Sequence, residues 1–237
     1  MPSSSVQCRR GPVDGNALRA AVLGANDGLV SNFSLVMGVA GASVGGEAVV
    51  IAGVAGLLAG SLSMALGEWV SVQSSRELYA NRIDALAREL DREPAVAQGR
   101  LARAYEGRGL TADESRRLAH RMLGGDRASA LDVITREELG VDPEELGGSA
   151  WTAAITSFVL FAVGAAIPLV PFLIGSGVGA IIAATVLAGG ALFALGAAIT
   201  RLTGRNPLLA GLRQLAFGMA AAAVTFVIGT LLGTAIT

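Results

Sequence analysis

Between Ala20 and Arg76 the chain carries two apolar stretches, each long enough to cross a bilayer, with glycines at 45 and 46 between them. Inside those stretches lie two carboxylates, Asp27 in GANDGLVSNFSLVMG and Glu68 in SMALGEWVSVQSSRE. A transmembrane helix needs ~20 apolar residues to cover ~30 Å of hydrocarbon, and an ionised acid at its centre costs about 2.5–3.5 kcal/mol on insertion scales. The constraint is double. Lipid offers the backbone no hydrogen-bonding partner, so the stretches must be helical, and each acid must face a polar cavity or a neutralising partner.

The spacing refines this picture. Asp27 follows Arg19 by eight residues and Glu68 precedes Arg76 by eight. In an antiparallel hairpin that turns at Glu47 and Ala48, both acids are expected at one depth, about 12 Å in from the arginines. Each acid would then face the other, or a symmetry mate, across a single plane. No arginine lies inside the stretches to act as partner, so a proton or a metal cation is the expected neutralising species. Met64 and Glu68 are four apart and share a helix face. A thioether beside a carboxylate suits borderline divalent transition ions better than Mg²⁺ or Ca²⁺, whose sites are built from oxygen. Asn26, Ser31, Ser34 and Ser63 are candidates for further oxygens. Taken alone, Met64 fits core packing better than ligation, and the two acids have an alternative use as protonated helix glue.

Composition places these stretches in a larger membrane protein. Mean hydropathy is +0.58 with 52% hydrophobic and 16% charged residues, outside the range of ordinary soluble domains. The expected fold is an all-α integral membrane protein with five transmembrane helices, near residues 20–42, 49–73, 151–173, 177–200 and 210–236. A small helical cytosolic domain is inserted between the second and third. By domain, residues 1–16 are expected to be a mobile tail, 17–75 the hairpin, 76–148 the cytosolic insert and 149–237 the last three spans. Pro168 and Pro171 are expected to bend or end the third span. Gly24 with Gly28, Gly56 with Gly60, and Gly229 with Gly233 have the spacing that lets helix backbones approach closely. No secretory or transit signal is legible at the amino terminus. Cys8 and His120 are single, which excludes an internal disulfide and a histidine cluster.

All eighteen basic residues are arginine. Twelve fall between Arg76 and Arg136, three precede the first span, and Arg201, Arg205 and Arg213 flank the last connection. The positive-inside rule then puts the amino terminus and the insert in the cytosol and the carboxyl terminus outside. An arginine-only basic set in an Ala/Gly-rich chain points to a GC-rich bacterial source, hence to the bacterial inner (plasma) membrane. Within the insert, Pro94 is expected to open a helix, Gly107 and Gly109 to end it, and TADE at 111–114 to form a capping box. Asp126 caps a further helix that stops at Gly140, and DPEE at 142–145 reads as another start.

The strings GANDGLVSNFSLVMGVAGA and LAGSLSMALGEWVSVQSSRE, with REELGV and AAIPLVPF in support, resemble the vacuolar iron transporter family. The resemblance covers the chain from about Ala17 to Thr237. It implies a five-span homodimer that carries Fe²⁺, and Mn²⁺ as well, out of the cytosol by proton antiport along the dimer axis. Asp27 and Met64 match the family's pore aspartate and methionine, and Glu68 matches its next acidic position. Metal at Asp27, Met64 and Glu68 and proton coupling at Asp27 and Glu68 are therefore expected. The same resemblance suggests a cytosolic metal-collecting set at Glu89, Glu93 and Glu138. There, however, AVAQGR at 95–100 replaces an expected acidic cluster, and Ile134 and Thr135 replace a methionine pair. No permanently bound cofactor, enzymatic activity or nucleic-acid partner is expected; the partners are divalent metal, protons, lipid and a second copy. The alternative is a structural or sensory membrane protein whose buried acids serve helix packing.

Overall fold

The computed structural model describes residues 15–42, 45–140 and 149–236. The DPEE start lies outside the described residues, as does the expected tail, save that Gly15 and Asn16 already belong to the first helix. The elements are α1 (Gly15–Gly41), α2 (Gly46–Arg92), α3 (Pro94–Glu106), α4 (Ala112–Leu123), α5 (Arg127–Leu139), α6 (Ala150–Ala166), α7 (Val170–Ile174), α8 (Gly177–Thr203) and α9 (Pro207–Ile236). Among the described residues there is no strand. The chain divides into two units, one running to Val70 and resuming at Ala150, the other spanning Ser71–Ser149.

In the first unit α1 is the central helix. It packs most closely on α6 and α9, with α8 against both α1 and α9. Glycines set those distances. A Cβ on Gly24 or Gly28 would run into the α6 backbone at Ser157 or Phe161, and one on Gly229 or Gly233 into the backbone at Gly38 of α1 or at Ala42 just after it. Leu29, Phe33 and Met37 of α1 fill the space against Ala188, Leu192 and Ala222. Val36 joins Val49, Leu169, Phe172 and Ala184 in a second cluster.

The two halves of the expected hairpin are not a tightly packed pair. Among the described residues α2 forms none of the closest helix pairs in this unit. It meets its neighbours through side chains instead, at Gly53 against Leu169 and Val36 and at Gly60 against the Phe161 ring. Its face at Ile51, Val54, Leu58, Leu62, Leu66 and Val70 is exposed.

Three of the described helices, α2, α8 and α9, are long and apolar enough to cross a membrane. Two elements fall short of the five expected. α1 has the length, 27 residues, but carries Arg19, Asn26, Asp27, Ser31, Asn32 and Ser34. α6 is apolar but has 17 residues. Pro168 is the cause: lacking an N–H, it ends the helical ladder, and the chain resumes helix only at Val170. The interruption frees the Ala165 carbonyl, which accepts a hydrogen bond from Asn32 Nδ2 at 2.6 Å.

In the second unit the local signals act as the sequence predicts. Pro94 occupies the first turn of α3. Thr111 and Glu114 form a reciprocal capping box on α4. Asp126 accepts from the backbone N–H groups of Ala128 and Ser129 to cap α5, which ends at Gly140 with φ +64°. The short helices close over Leu101, Ala102, Tyr105 and Ala119 and over Leu86, Ala97 and Ile134.

Candidate functional site

α1 ends at Gly41 and α2 starts at Gly46, and those two boundaries fix the register between them. Counting out from the ends, Asp27 and Gly60 are each 14 residues away, and Arg19 and Glu68 are each 22 away. The contacts follow that count: Val36 meets Gly53, Asn32 meets Gly56, and Arg19 meets Glu68, in antiparallel order. Asp27 and Glu68 therefore do not share one depth. The turn sits about one helical turn earlier than the midpoint between the acids suggests, which moves Glu68 to the level of Arg19.

Between α1, α2 and α6 lies a groove of about 460 Å³, lined by Asp27, Ser31, Asn32, Leu35, Gly56, Gly60, Ser63, Met64 and Phe161. Asp27 is exposed into it, and Met64 is half-buried. The groove opens where α2 stands off from α1, and Gly56 and Gly60 let Asn32, Leu35 and the Phe161 ring close its floor against α2. One carboxylate, one thioether and the hydroxyls of Ser31 and Ser63 thus share an opening in an otherwise apolar wall.

The candidate oxygens differ in what they offer the groove. Asn26 accepts from the Gln214 side chain and is thereby tied to α9. The Ser31 hydroxyl donates to the Asp27 carbonyl at 2.5 Å, leaving its lone pairs to the groove. Ser34 is buried and does not line the groove.

Glu68 is buried, 6% exposed, and is not among the residues lining the groove. Its Oε2 accepts from Arg19 Nη2 at 2.9 Å. The reading that no arginine is available to these acids thus fails for Glu68. An arginine side chain is long enough to reach an acid on the neighbouring helix, which spacing along a single helix does not reveal. Beside the pair, Trp69 and Trp151 meet edge to face at 6.0 Å.

Sequence reasoning missed Asn32. Its Nδ2 must face the Ala165 carbonyl, which can only accept, so its Oδ1 points toward Gly56 and has no donor. An amide within an apolar span was the available signal.

In the insert, Arg100 claims two of the three suggested collecting residues. Its Nη1 donates to Glu89 at 2.8 Å and its Nε to Glu138 at 2.5 Å. Burial lowers the affinity of this guanidinium for its proton, but the two carboxylates outweigh that and hold it above its ordinary range. Glu93 stands at the start of α3, exposed. Among the described residues no group of three or more His, Cys, Asp or Glu is placed to hold a metal. Nearby, Arg127 grips Asp91 through two bonds of 2.7 Å and depresses its carboxyl. Burial, then the hydrogen bond to Glu137, raises the Tyr105 phenol.

These features define a helical membrane protein with a carboxylate and a thioether on one groove of its apolar unit. The model of the VIT family matches residues 18–230, and the chain belongs to that family. It is 31% identical to vacuolar iron transporter 1 of Arabidopsis thaliana, over 90% of this chain and 84% of that protein. Vacuolar iron transporter 1 of Eucalyptus grandis is 29% identical, over 90% and 85% of the two chains. Vacuolar iron transporter homolog 1 of Oryza sativa subsp. japonica is 34% identical, over 91% and 74%. These relatives are named as vacuolar proteins of plants and lend no support to the bacterial inner-membrane location expected above.

Proposed function

We propose that the chain is a divalent transition-metal transporter, for Fe²⁺ and also Mn²⁺, that moves metal out of the cytosol in exchange for protons. The observation that carries this reading is the shared groove of Asp27 and Met64. A hard anionic oxygen and a soft sulfur side by side favour a borderline transition ion over Mg²⁺ or Ca²⁺. The names of the relatives, iron transporters, agree with it.

One groove offers too few ligands to strip a hydrated ion. A second copy related by a twofold axis would double them, and the exposed apolar face of α2 is the surface such a copy would cover. Under this reading all five apolar helical segments span the membrane, α6 and α7 together forming the third, with the arginine-rich side cytosolic. Metal and proton compete for the carboxylates of Asp27 and Glu68, and that competition is the coupling step. Glu68 belongs to the same path as the next acid along α2. At Glu68 alone the packing alternative has an observation in its favour, the ion pair with Arg19. Glu89 and Glu138, held by Arg100, serve as the internal braces of the insert.

Proteoliposomes containing the protein and an internal pH dye test the proposal. An inward or outward gradient of Fe²⁺ or Mn²⁺ is expected to drive proton movement of opposite direction, absent from protein-free liposomes. Metal flux without any proton response would remove the antiport, and absence of flux for both ions would remove the transporter.

A further inference from the structure

The ion pair between Arg19 and Glu68 is asymmetric. The Glu68 side chain is 7% exposed and rides on a continuous helix, whereas the Arg19 side chain is 55% exposed and carries its charge on a flexible stem. A buried carboxylate needs a cation or a proton, and breaking its pair without a replacement is costly. The guanidinium, by contrast, rides on a side chain that its neighbours leave more than half uncovered. Met64, on the groove, lies one helical turn from Glu68, and Asp27 lies two turns from Arg19. The pair thus stands at one end of the groove, and its arginine occupies the position on Glu68 that an arriving cation would take.

We propose that Arg19 is a tethered counter-ion that competes with the metal for Glu68. Metal reaches Glu68, and from there Met64 and Asp27, by displacing the guanidinium toward its uncovered side. When the site empties, the guanidinium returns and keeps Glu68 neutralised without a bound ion. The proposal rests on the transport reading and adds to it a residue that sets apparent metal affinity without ligating metal.

The test is the KM for Mn²⁺ uptake into liposomes, with Mn²⁺ binding to the detergent-purified protein followed by electron paramagnetic resonance. Arg19→Gln removes the competitor, and KM and the binding midpoint are expected to fall about fivefold, the size of an ion pair with one exposed partner. Arg19→Lys keeps the charge but hydrates more strongly, so a fall of about twofold is expected. In a Glu68→Gln background the Arg19→Gln effect should vanish, because nothing is left to compete for. A KM that stays constant or rises in folded Arg19→Gln, or a fall that persists in the Glu68→Gln background, overturns the proposal. Should Arg19→Gln fail to fold, an unshifted midpoint in Arg19→Lys overturns it equally. Wild-type uptake in the same liposomes reports separately on the transport reading.

Discussion

Removing Arg100 should loosen the insert without touching the groove. Arg100 joins Glu89 on α2 to Glu138 on α5 through two charge-assisted hydrogen bonds of 2.8 and 2.5 Å. Such bonds are worth about 1.5–3 kcal/mol each when fully protected. The side chains of Arg100, Glu89 and Glu138 keep 34%, 27% and 20% of their exposure, so solvent screening brings the sum down to ~2 kcal/mol. Arg100→Ala also leaves two carboxylates in close company with nothing between them. Amides of α3 and α5 in the full-length protein should therefore exchange with solvent about thirtyfold faster, as ~2 kcal/mol requires. Adding Glu89→Gln and Glu138→Gln to Arg100→Ala should recover part of the protection. Unchanged exchange in Arg100→Ala would refute the brace. Slower exchange of the wild-type insert on adding Mn²⁺ would refute it too, since metal would then be reaching carboxylates that the arginine is said to occupy.

Packing, caps and one surface ion pair give further expected outcomes. Gly28→Ala places a methyl against the α6 backbone at Phe161, where no flexible side chain can yield, and should cost about 1–3 kcal/mol as a lower midpoint of thermal unfolding in detergent. Gly67→Ala, with nothing within 4 Å of the added carbon, should leave the midpoint unchanged or raised. Asp91, held down by Arg127, and Glu114 and Asp126, held down by their capping bonds, all have carboxyls below their ordinary values in the fold. Their contribution is present above the ordinary carboxylate range near ~4 and is lost as pH falls through the depressed values. Hydrogen exchange in the insert should accelerate on acidification below that range, once corrected for intrinsic rates, and less so in Asp91→Asn.

What the sequence made legible is what depends on near neighbours along the chain. Pro94, Thr111 with Glu114, Asp126 and Gly140 act through backbone groups within four residues, and each lies where its local chemistry requires. Pro168 announces the end of α6 for the same reason. Resemblance placed Asp27 and Met64 in one site, and the groove brings them together. Interhelical register was not legible. Taking the turn as the midpoint between Asp27 and Glu68 put those acids level, whereas the helix ends at Gly41 and Gly46 set Glu68 against Arg19. Nor does a glycine pair name its partner: Gly24 and Gly28 seat α6 rather than α2, and that choice is what opens the groove. Asn32 escaped notice because its role depends on a carbonyl 133 residues away, freed by the break before Pro168.

On the proposed reading Asp27 and Met64 together form the metal's path, which iron-dependent proton flux in liposomes carrying Asp27→Ala or Met64→Ala protein tests. Asp27→Ala should abolish the flux and Met64→Ala reduce it at least tenfold, ~1.4 kcal/mol for the lost ligand, with both variants remaining folded. Undiminished flux in both would contradict it.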